Sequence, residues 1–154
     1  MKYISNSIEE TKKIAYTFAQ TLVGCDVVFL EGDIGSGKTT FAQGVLEAFG
    51  YMDPVRSPTF SIMNVYQIKK PGLGAPSVEA VTSHIARVIH LDFYRLNSPK
   101  EISALGLEEF LENPGTVLLI EWPEKVVEAE SPIRYTKRVQ FVAVNDQTRE
   151  IIFN

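Results

Sequence analysis

The stretch VVFLEGDIGSGKTTF, residues 27–41, decides the fold of this chain. Residues 27–30 form a short apolar run of strand-forming residues, which is typical of a strand buried on both faces of an α/β sheet. Residues 32–39 then match the pattern G-x-x-x-x-G-K-S/T at every fixed position. A helix that ends at Gly50 should follow, because its inner face is marked by Phe41, Val45, Leu46 and Phe49. Strand, glycine-rich loop and helix in this order predict a P-loop.

The residue types in this loop suit a bound triphosphate. Glycines let backbone N–H groups approach phosphate oxygens without a Cβ in the way, and the following helix adds its positive end. Lys38 should reach the β and γ phosphates, and the Thr39 hydroxyl should coordinate magnesium. Thr40 could add a phosphate contact. We therefore expect ATP with Mg²⁺ to be held at Asp33, Gly35, Ser36, Gly37, Lys38, Thr39 and Thr40.

A magnesium site in such a fold also needs an acidic side chain at the end of another strand. Two acids fit that position: Asp92 follows residues 87–91, RVIHL, and Glu121 closes the apolar run of residues 118–120. Each should lie near the sheet edge where a P-loop presents its nucleotide. The pattern does not rank the two, so both are candidate metal ligands and catalytic carboxylates.

The rest of the chain predicts helices and strands around this unit. A capping-box pattern at Ser7 predicts an amphipathic first helix, and a second such pattern predicts a short helix from Ser98 to near Gly106. Residues 69–77 contain two prolines and two glycines, which predicts a flexible excursion or a hairpin end with no defined core role. Strands are expected at residues 59–67, in a segment ending at Asp92, and at residues 116–120, 138–144 and 149–153.

These elements together predict a P-loop NTPase-like fold of the α/β class. Its sheet should be mixed and flanked by helices, and the last two strands should form a C-terminal antiparallel hairpin. A length of 154 residues suits one domain, residues 1–154, with a substantial core.

Composition limits the cellular compartment and the binding partners that we expect for this chain. A net charge of −4 offers no general basic field for nucleic acid, so direct RNA binding is not expected. The single cysteine, Cys25, cannot form an internal disulfide, which fits a reducing compartment. No signal-peptide pattern opens the chain and its apolar runs are strand-sized, so we expect a cytoplasmic protein with no membrane contact.

Four motifs in this order are similar to those of one protein family. They are GDIGSGKTTF at residues 32–41, SPTF at 57–60, HLDFYRL at 90–96 and EWPE at 121–124. On these motifs the chain resembles the TsaE family, the ATPases of bacterial tRNA threonylcarbamoyladenosine biosynthesis. The resemblance covers nearly the whole chain, and the four motifs together are far more specific than the P-loop alone.

The resemblance implies a function in tRNA modification. Such an ATPase works with a TsaB–TsaD protein pair, which places a threonylcarbamoyl group on the adenosine beside the anticodon of certain tRNAs. The chain would not transfer that group itself and would meet tRNA only through the complex. ATP would then be both a substrate and a conformational switch.

The resemblance also implies roles for the site residues. Lys38 and Thr39 would bind phosphate and magnesium. Asp92 would take the acidic position associated with the metal, and Glu121 would be the second catalytic carboxylate.

Three further residues follow from the same motifs. Thr59 corresponds to a switch-like loop near the γ-phosphate, and Trp122 lies beside the nucleotide in this interpretation. Trp122 is the only tryptophan, and large aromatic residues often anchor a core or an interface instead. His90 is expected to be a structural hydrogen-bonding residue rather than a general base.

Two other functions use the same residues. A small P-loop kinase would position Lys38, Thr39 and an acid in the same way to transfer the γ-phosphoryl group to a metabolite. Such kinases usually carry an arginine-rich lid, and the region after Asp92 contains Arg95 but no dense arginine cluster. A nucleotide-switched binding module with incidental hydrolysis is the non-enzymatic alternative.

Overall fold

The computed structural model describes residues 1–68, 85–124 and 133–154, so the predicted excursion at residues 69–77 lies outside the described chain. The described strands are β1 (Lys2–Ser5), β2 (Val27–Glu31), β3 (Met63–Gln67), β4 (Arg87–Asp92), β5 (Thr116–Glu121), β6 (Lys137–Ala143) and β7 (Arg149–Phe153). The described helices are α1 (Ile8–Ala19), α2 (Lys38–Ala48), α3 (Pro99–Ser103) and α4 (Glu108–Leu111).

The seven described strands form one mixed sheet in the order β1-β7-β6-β2-β5-β4-β3. Strands β6, β2, β5 and β4 run parallel to their neighbours within this group, whereas β3, β7 and β1 pair antiparallel. The central strands β2 and β5 are almost wholly buried because helices or loops cover both faces, as their apolar sequences predict. The mixed sheet and the antiparallel β6–β7 hairpin are confirmed.

Two hydrophobic clusters cover the two faces of the sheet. On one face α1 and α2 pack with Phe18, Phe41 and Val45 against the sheet. On the other face the segment containing α3 and α4 packs with residues such as Phe93 and Ile102. The helices thereby bury β2 on both sides and hold the start of α2 at the carboxyl end of β2.

The structure differs from two sequence-based expectations. The predicted strand at residues 59–67 begins only at Met63, because residues 58–61 form turns and Ile62 adopts φ 67°. The predicted strand start was therefore wrong. β1 was not predicted, since a four-residue edge strand gains its hydrogen bonds from β7, which lies at the other end of the chain.

The parallel strands bring two acids to one sheet edge. β4 and β5 pair in a register that sets Asp92 opposite Glu121, and β2 pairs with β5 so that Leu30 lies opposite Glu121. Both acids therefore end their strands beside the point where β2 enters the loop before α2. This register places every element of the candidate site at the same edge.

Candidate functional site

The loop between β2 and α2, residues 32–37, needs its glycines for two different reasons. A Cβ on Gly32 would lie 2.5 Å from the carbonyl oxygen of Phe141, so β6 leaves no room for a side chain there. Gly37 precedes α2 at its N-cap with φ 105°, in the left-handed region that favours glycine. No side chain caps the first turn of α2, so its backbone N–H groups are available to an anion.

Lys38 folds back over this loop. Its Nζ donates hydrogen bonds to the carbonyl oxygens of Gly32 and Asp33, at 2.6 and 2.8 Å, and lies 4.5 Å from the ring centroid of Trp122. Burial lowers the pKa of Lys38, while the negative charge of Glu121, and more weakly that of Asp92, opposes the shift. The site thus contains a buried cation held by backbone oxygens and by nearby carboxylates.

Glu121 is bound to the start of α2 from the end of β5. Its Oε1 accepts a hydrogen bond from Thr39 Oγ1 at 2.9 Å and lies 2.8 Å from His90 Nε2. Glu121 is 3 % exposed and His90 is fully buried. The structure therefore brings together the Thr39 hydroxyl and a strand-end carboxylate, which the sequence placed 82 residues apart.

Asp92 has a different set of partners. Its Oδ2 accepts a hydrogen bond from Thr59 Oγ1 at 2.6 Å, and its Oδ1 accepts one from the backbone N–H of Tyr94 at 2.9 Å. Ser57 Oγ lies 2.7 Å from Thr59 Oγ1 and extends this hydroxyl chain. The turn that shortened β3 is what directs Thr59 back towards β4.

Trp122 stands next to Glu121 with φ 58°, which is a strained backbone conformation for a bulky residue. Its ring centroid lies 4.9 Å from that of Tyr94 and its ring faces the ammonium of Lys38. Such backbone strain is typical of functional sites, where the surroundings hold a side chain in a required place. Trp122 thus lines the site and also packs partly against the hydrophobic cluster on that face of the sheet.

These residues surround a cavity of about 350 Å³. Its lining contains the predicted residues Gly35, Gly37, Lys38, Thr39, Thr40, Thr59, Asp92, Glu121 and Trp122, and also Ile34, Ser57 and Tyr94. Two predicted residues, Asp33 and Ser36, are not in the lining. The side chain of Asp33 is exposed, and the Ser36 hydroxyl is buried without a partner in the described chain.

Sequence reasoning did not single out Ile34, Ser57 or Tyr94 as lining residues and treated His90 only as structural. The signal for these three was present, because Ile34 belongs to the P-loop, Ser57 to the SPTF motif and Tyr94 to HLDFYRL. His90 lies within a strand that is buried almost throughout, and only the pairing of β4 with β5 reveals its contact with Glu121.

The donor set suits an anion with a hard divalent cation. Free backbone N–H groups and Lys38 can neutralise phosphate oxygens, and hydroxyl and carboxylate oxygens are the ligands that Mg²⁺ prefers. Within the described ranges no three His, Cys, Asp or Glu side chains converge to hold a metal ion. Two carboxylates and the Thr39 hydroxyl fit Mg²⁺, which usually takes one or two carboxylates together with phosphate oxygens.

No helix in the described residues combines the length and the apolar character that crossing a membrane requires.

Comparisons with known proteins agree with the four motifs. A model of the family described as threonylcarbamoyl adenosine biosynthesis protein TsaE matches residues 5–151. The tRNA threonylcarbamoyladenosine biosynthesis protein TsaE of Rickettsia felis is 36% identical over 152 residues, which cover 98% of this chain and 79% of that protein. The protein of the same name from Bacillus subtilis is 35% identical over 155 residues, covering 99% and 84%.

A solved structure supports the same assignment. The crystal structure of Bacillus subtilis YdiB superposes with a TM-score of 0.66 at 33% identity, covering 99% of this chain and 83% of that one. The resemblance expected from the motifs is therefore confirmed, and so is the predicted fold class. Since the family match and the identities extend over nearly the whole chain, the protein belongs to the TsaE family of tRNA threonylcarbamoyladenosine biosynthesis proteins.

Proposed function

We propose that this chain is a magnesium-dependent ATPase that supports a TsaB–TsaD complex in tRNA threonylcarbamoyladenosine formation. One observation carries the ATPase proposal. The P-loop lysine, the Thr39 hydroxyl and two strand-end carboxylates line a single cavity at the mouth of the glycine-rich loop. Family membership supports the place of this activity in the modification machinery.

The triphosphate of ATP would lie on the uncapped start of α2. Backbone N–H groups of the loop and the ammonium of Lys38 would bind its oxygens and offset the charge that develops on the transferred phosphoryl group. Lys38 is already held over the loop by Gly32 and Asp33, so little side-chain ordering is needed on binding.

Two ligands for Mg²⁺ would come from the contact between Thr39 and Glu121. When bound, the ion would offset the negative charge of the phosphate oxygens. The hydroxyl and the carboxylate are 2.9 Å apart, so one cation could contact both groups with little rearrangement. Asp92 lies opposite Glu121 in the β4–β5 register. From there it would be a further ligand or would accept a proton from the attacking water.

Thr59 would report the state of the nucleotide. Its hydroxyl is hydrogen-bonded to Asp92, and it belongs to a turn connected to an exposed segment of the surface. A γ-phosphate or cation that competes for Asp92 or for the Thr59 hydroxyl would change the position of this turn. Such a change would couple ATP binding to contacts with the partner complex.

The test is steady-state ATP hydrolysis by the purified protein, alone and with a purified TsaB–TsaD pair, together with threonylcarbamoyladenosine formation on tRNA. We expect the partners to stimulate hydrolysis and the chain to sustain repeated rounds of modification. The Lys38→Ala variant is the matched control and should support neither activity.

The same assay separates the alternatives. A γ-phosphate label that appears on a small metabolite rather than as inorganic phosphate would favour the kinase. Partner binding that depends on the nucleotide, in a variant that no longer hydrolyses ATP but still sustains modification, would favour the binding module. Rates of hydrolysis and modification that the partners and this chain leave unchanged would contradict the proposed function.

A further inference from the structure

We infer that His90 is a positioning residue for Glu121, which it holds from behind so that one carboxylate oxygen stays directed at the cavity. The inference rests on the proposed function, because it gives His90 a task in the binding of Mg²⁺. It goes beyond that function by assigning a role to a fully buried residue that does not line the cavity.

The two oxygens of Glu121 are not equivalent. Oε1 accepts a hydrogen bond from Thr39 Oγ1 at 2.9 Å and lies 2.8 Å from His90 Nε2. Oε2 has no hydrogen bond to any described residue, and it is not among the buried atoms that lack a partner. Glu121 lines the cavity, and Oε2 is the oxygen that these two contacts do not use. An ionised carboxylate only accepts hydrogen bonds, so the shared hydrogen belongs to His90 Nε2.

A purely structural role accounts poorly for a histidine at this position. His90 lies on the same face of β4 as Val88 and pairs across the sheet with Leu119, both of which are fully buried and apolar. Its Nδ1 is buried and has no partner in the described chain, which costs free energy that an apolar residue would avoid. Among the described residues, Glu121 is the one polar partner of the His90 ring, so this hydrogen bond is what a histidine adds at the position.

Of the two partners of Glu121 Oε1, His90 is the one that a bound cation would leave in place. Thr39 is the residue proposed to contact the cation, so its bond to Glu121 is the one that a bound cation would disturb. His90 is fully buried in β4, between β3 and β5, so packing holds its ring in place. If its N–H were removed, the carboxylate would be free to rotate, and the nearby ammonium of Lys38 would attract it away from the cation position.

The experiment compares two substitutions of His90 with a control on the same strand face. His90→Leu fills similar space without a donor, whereas the side-chain amide of His90→Gln can still donate to Glu121. His90→Met is a second donor-free variant with a more adaptable side chain, for use if His90→Leu does not fold. Val88→Ala weakens the same core without touching Glu121 and controls for loss of stability.

Two measurements are made on each variant. The first is the Mg²⁺ concentration that gives half-maximal ATP hydrolysis. The second is the affinity for ADP, with Mg²⁺ and with EDTA, followed by the fluorescence of Trp122, the only tryptophan. We expect the donor-free variant to need roughly 10- to 100-fold more Mg²⁺, the range found for residues that orient metal ligands. ADP affinity in EDTA should be unchanged, and His90→Gln should recover most of the Mg²⁺ response.

The outcomes separate this inference from the proposed function. Wild-type protein that binds ADP more tightly with Mg²⁺ but does not hydrolyse ATP would contradict the ATPase proposal and leave His90 testable by binding. A folded donor-free variant with the wild-type Mg²⁺ response would overturn the inference. It would equally be overturned if Val88→Ala shifted the Mg²⁺ response as much as the donor-free variant, or if wild-type binding did not respond to Mg²⁺.

Discussion

At the scale of single residues, Lys38 buries an ammonium group in the proposed nucleotide site. Its ammonium is buried, and burial lowers its pKa, so the folded state holds this proton less tightly than the unfolded chain does. Burying the charged form therefore costs stability at every pH below the folded-state pKa. The cost shrinks as pH rises through that pKa towards 10.5, the ordinary value.

The first prediction concerns Lys38→Met. The free variant should be no less stable than the wild type near neutral pH, because the substitution removes a buried charge and keeps a side chain of similar length. ATP with Mg²⁺ should stabilise only the wild type, by about 2.7 kcal/mol at a concentration 100 times the dissociation constant. Thermal unfolding with and without the nucleotide measures both effects. An equal nucleotide-dependent shift in the variant would contradict the assigned role.

The two carboxylates should fail in different ways. Glu121→Gln should mainly raise the Mg²⁺ requirement, because Glu121 contacts Thr39, the other proposed ligand. Asp92→Asn should lower the turnover number at saturating Mg²⁺ by roughly 100-fold or more, as expected if Asp92 accepts a proton from the attacking water. Hydrolysis measured over a range of Mg²⁺ concentrations distinguishes these patterns. The opposite pattern would exchange the two roles.

At the scale of elements, α1 and α2 approach each other closely at Gly44. A Cβ at this position would lie 2.7 Å from Ala15 Cβ and 2.9 Å from Lys12 Cα. Helix propensity alone would make Gly44→Ala stabilising by about 1 kcal/mol. The second contact involves backbone, which cannot move aside as a flexible side chain could. The packing of α1 on α2 therefore decides whether Gly44→Ala stabilises or destabilises the protein.

We predict that Gly44→Ala destabilises the protein by about 1–3 kcal/mol, the usual cost of overpacking a core. Chemical denaturation gives the free energy of unfolding. Combining it with Ala15→Gly should relieve part of the clash, so the two changes should not be additive. A more stable single variant, or strict additivity, would show that the helices separate at little cost.

The start of α3 depends on Glu101 in a manner that pH can reveal. Its carboxylate accepts hydrogen bonds from the backbone N–H groups of Asn97 and Ser98 and from the Ser98 hydroxyl. The Asn97 N–H, followed by the Ser98 hydroxyl, lowers the pKa of Glu101 below its ordinary value of 4.5. The carboxylate therefore stabilises the fold above that value, and this contribution is lost as pH falls through the lowered pKa.

Replacing Glu101 by glutamine should expose this dependence. The wild type should be more stable than Glu101→Gln at neutral pH, and the difference should diminish on acidification below 4.5. Denaturant titrations at several pH values measure it. Glu109→Gln is the control, because it removes a carboxylate from an exposed position of α4 without removing a side-chain hydrogen bond to a described residue. A difference that persists or grows in acid would contradict the capping role.

At the scale of the whole molecule, net charge limits what the chain can bind without a partner. With a net charge of −4, the protein has no general attraction for the phosphate backbone of tRNA. We predict that the isolated protein binds tRNA no more tightly than non-specific complexes do, with dissociation constants of about 10⁻⁴ to 10⁻⁶ M at physiological salt. Fluorescence anisotropy with labelled tRNA, repeated with the TsaB–TsaD pair present, tests this.

The result is interpreted by comparing tRNA binding with and without the TsaB–TsaD pair. Tight binding only with the partners would support contact with tRNA through the complex. Saturable submicromolar binding by the chain alone, with a steep dependence on salt, would show a local basic surface that net charge conceals.

Local pattern was sufficient for the strand, loop and helix that carry Lys38 and Thr39. Glycine spacing and apolar periodicity are properties of neighbouring residues, so they could be read without knowing the rest of the fold. The same holds for the hairpin of β6 and β7, whose partners are close in sequence. β1 was missed and β3 was started too early, because an edge strand and a turn after Pro58 depend on contacts from elsewhere.

The two candidate acids show what the sequence pattern could predict and what depended on the tertiary structure. The sequence by itself determined that Asp92 and Glu121 end two strands near a P-loop, because both follow strand-like runs. Only the register of β2, β5 and β4 decided that Glu121 meets Thr39 while Asp92 meets Thr59. Register is set by packing between segments distant in the chain, and it also placed His90 behind Glu121. That is the physical reason why residue types could be predicted and their partners could not.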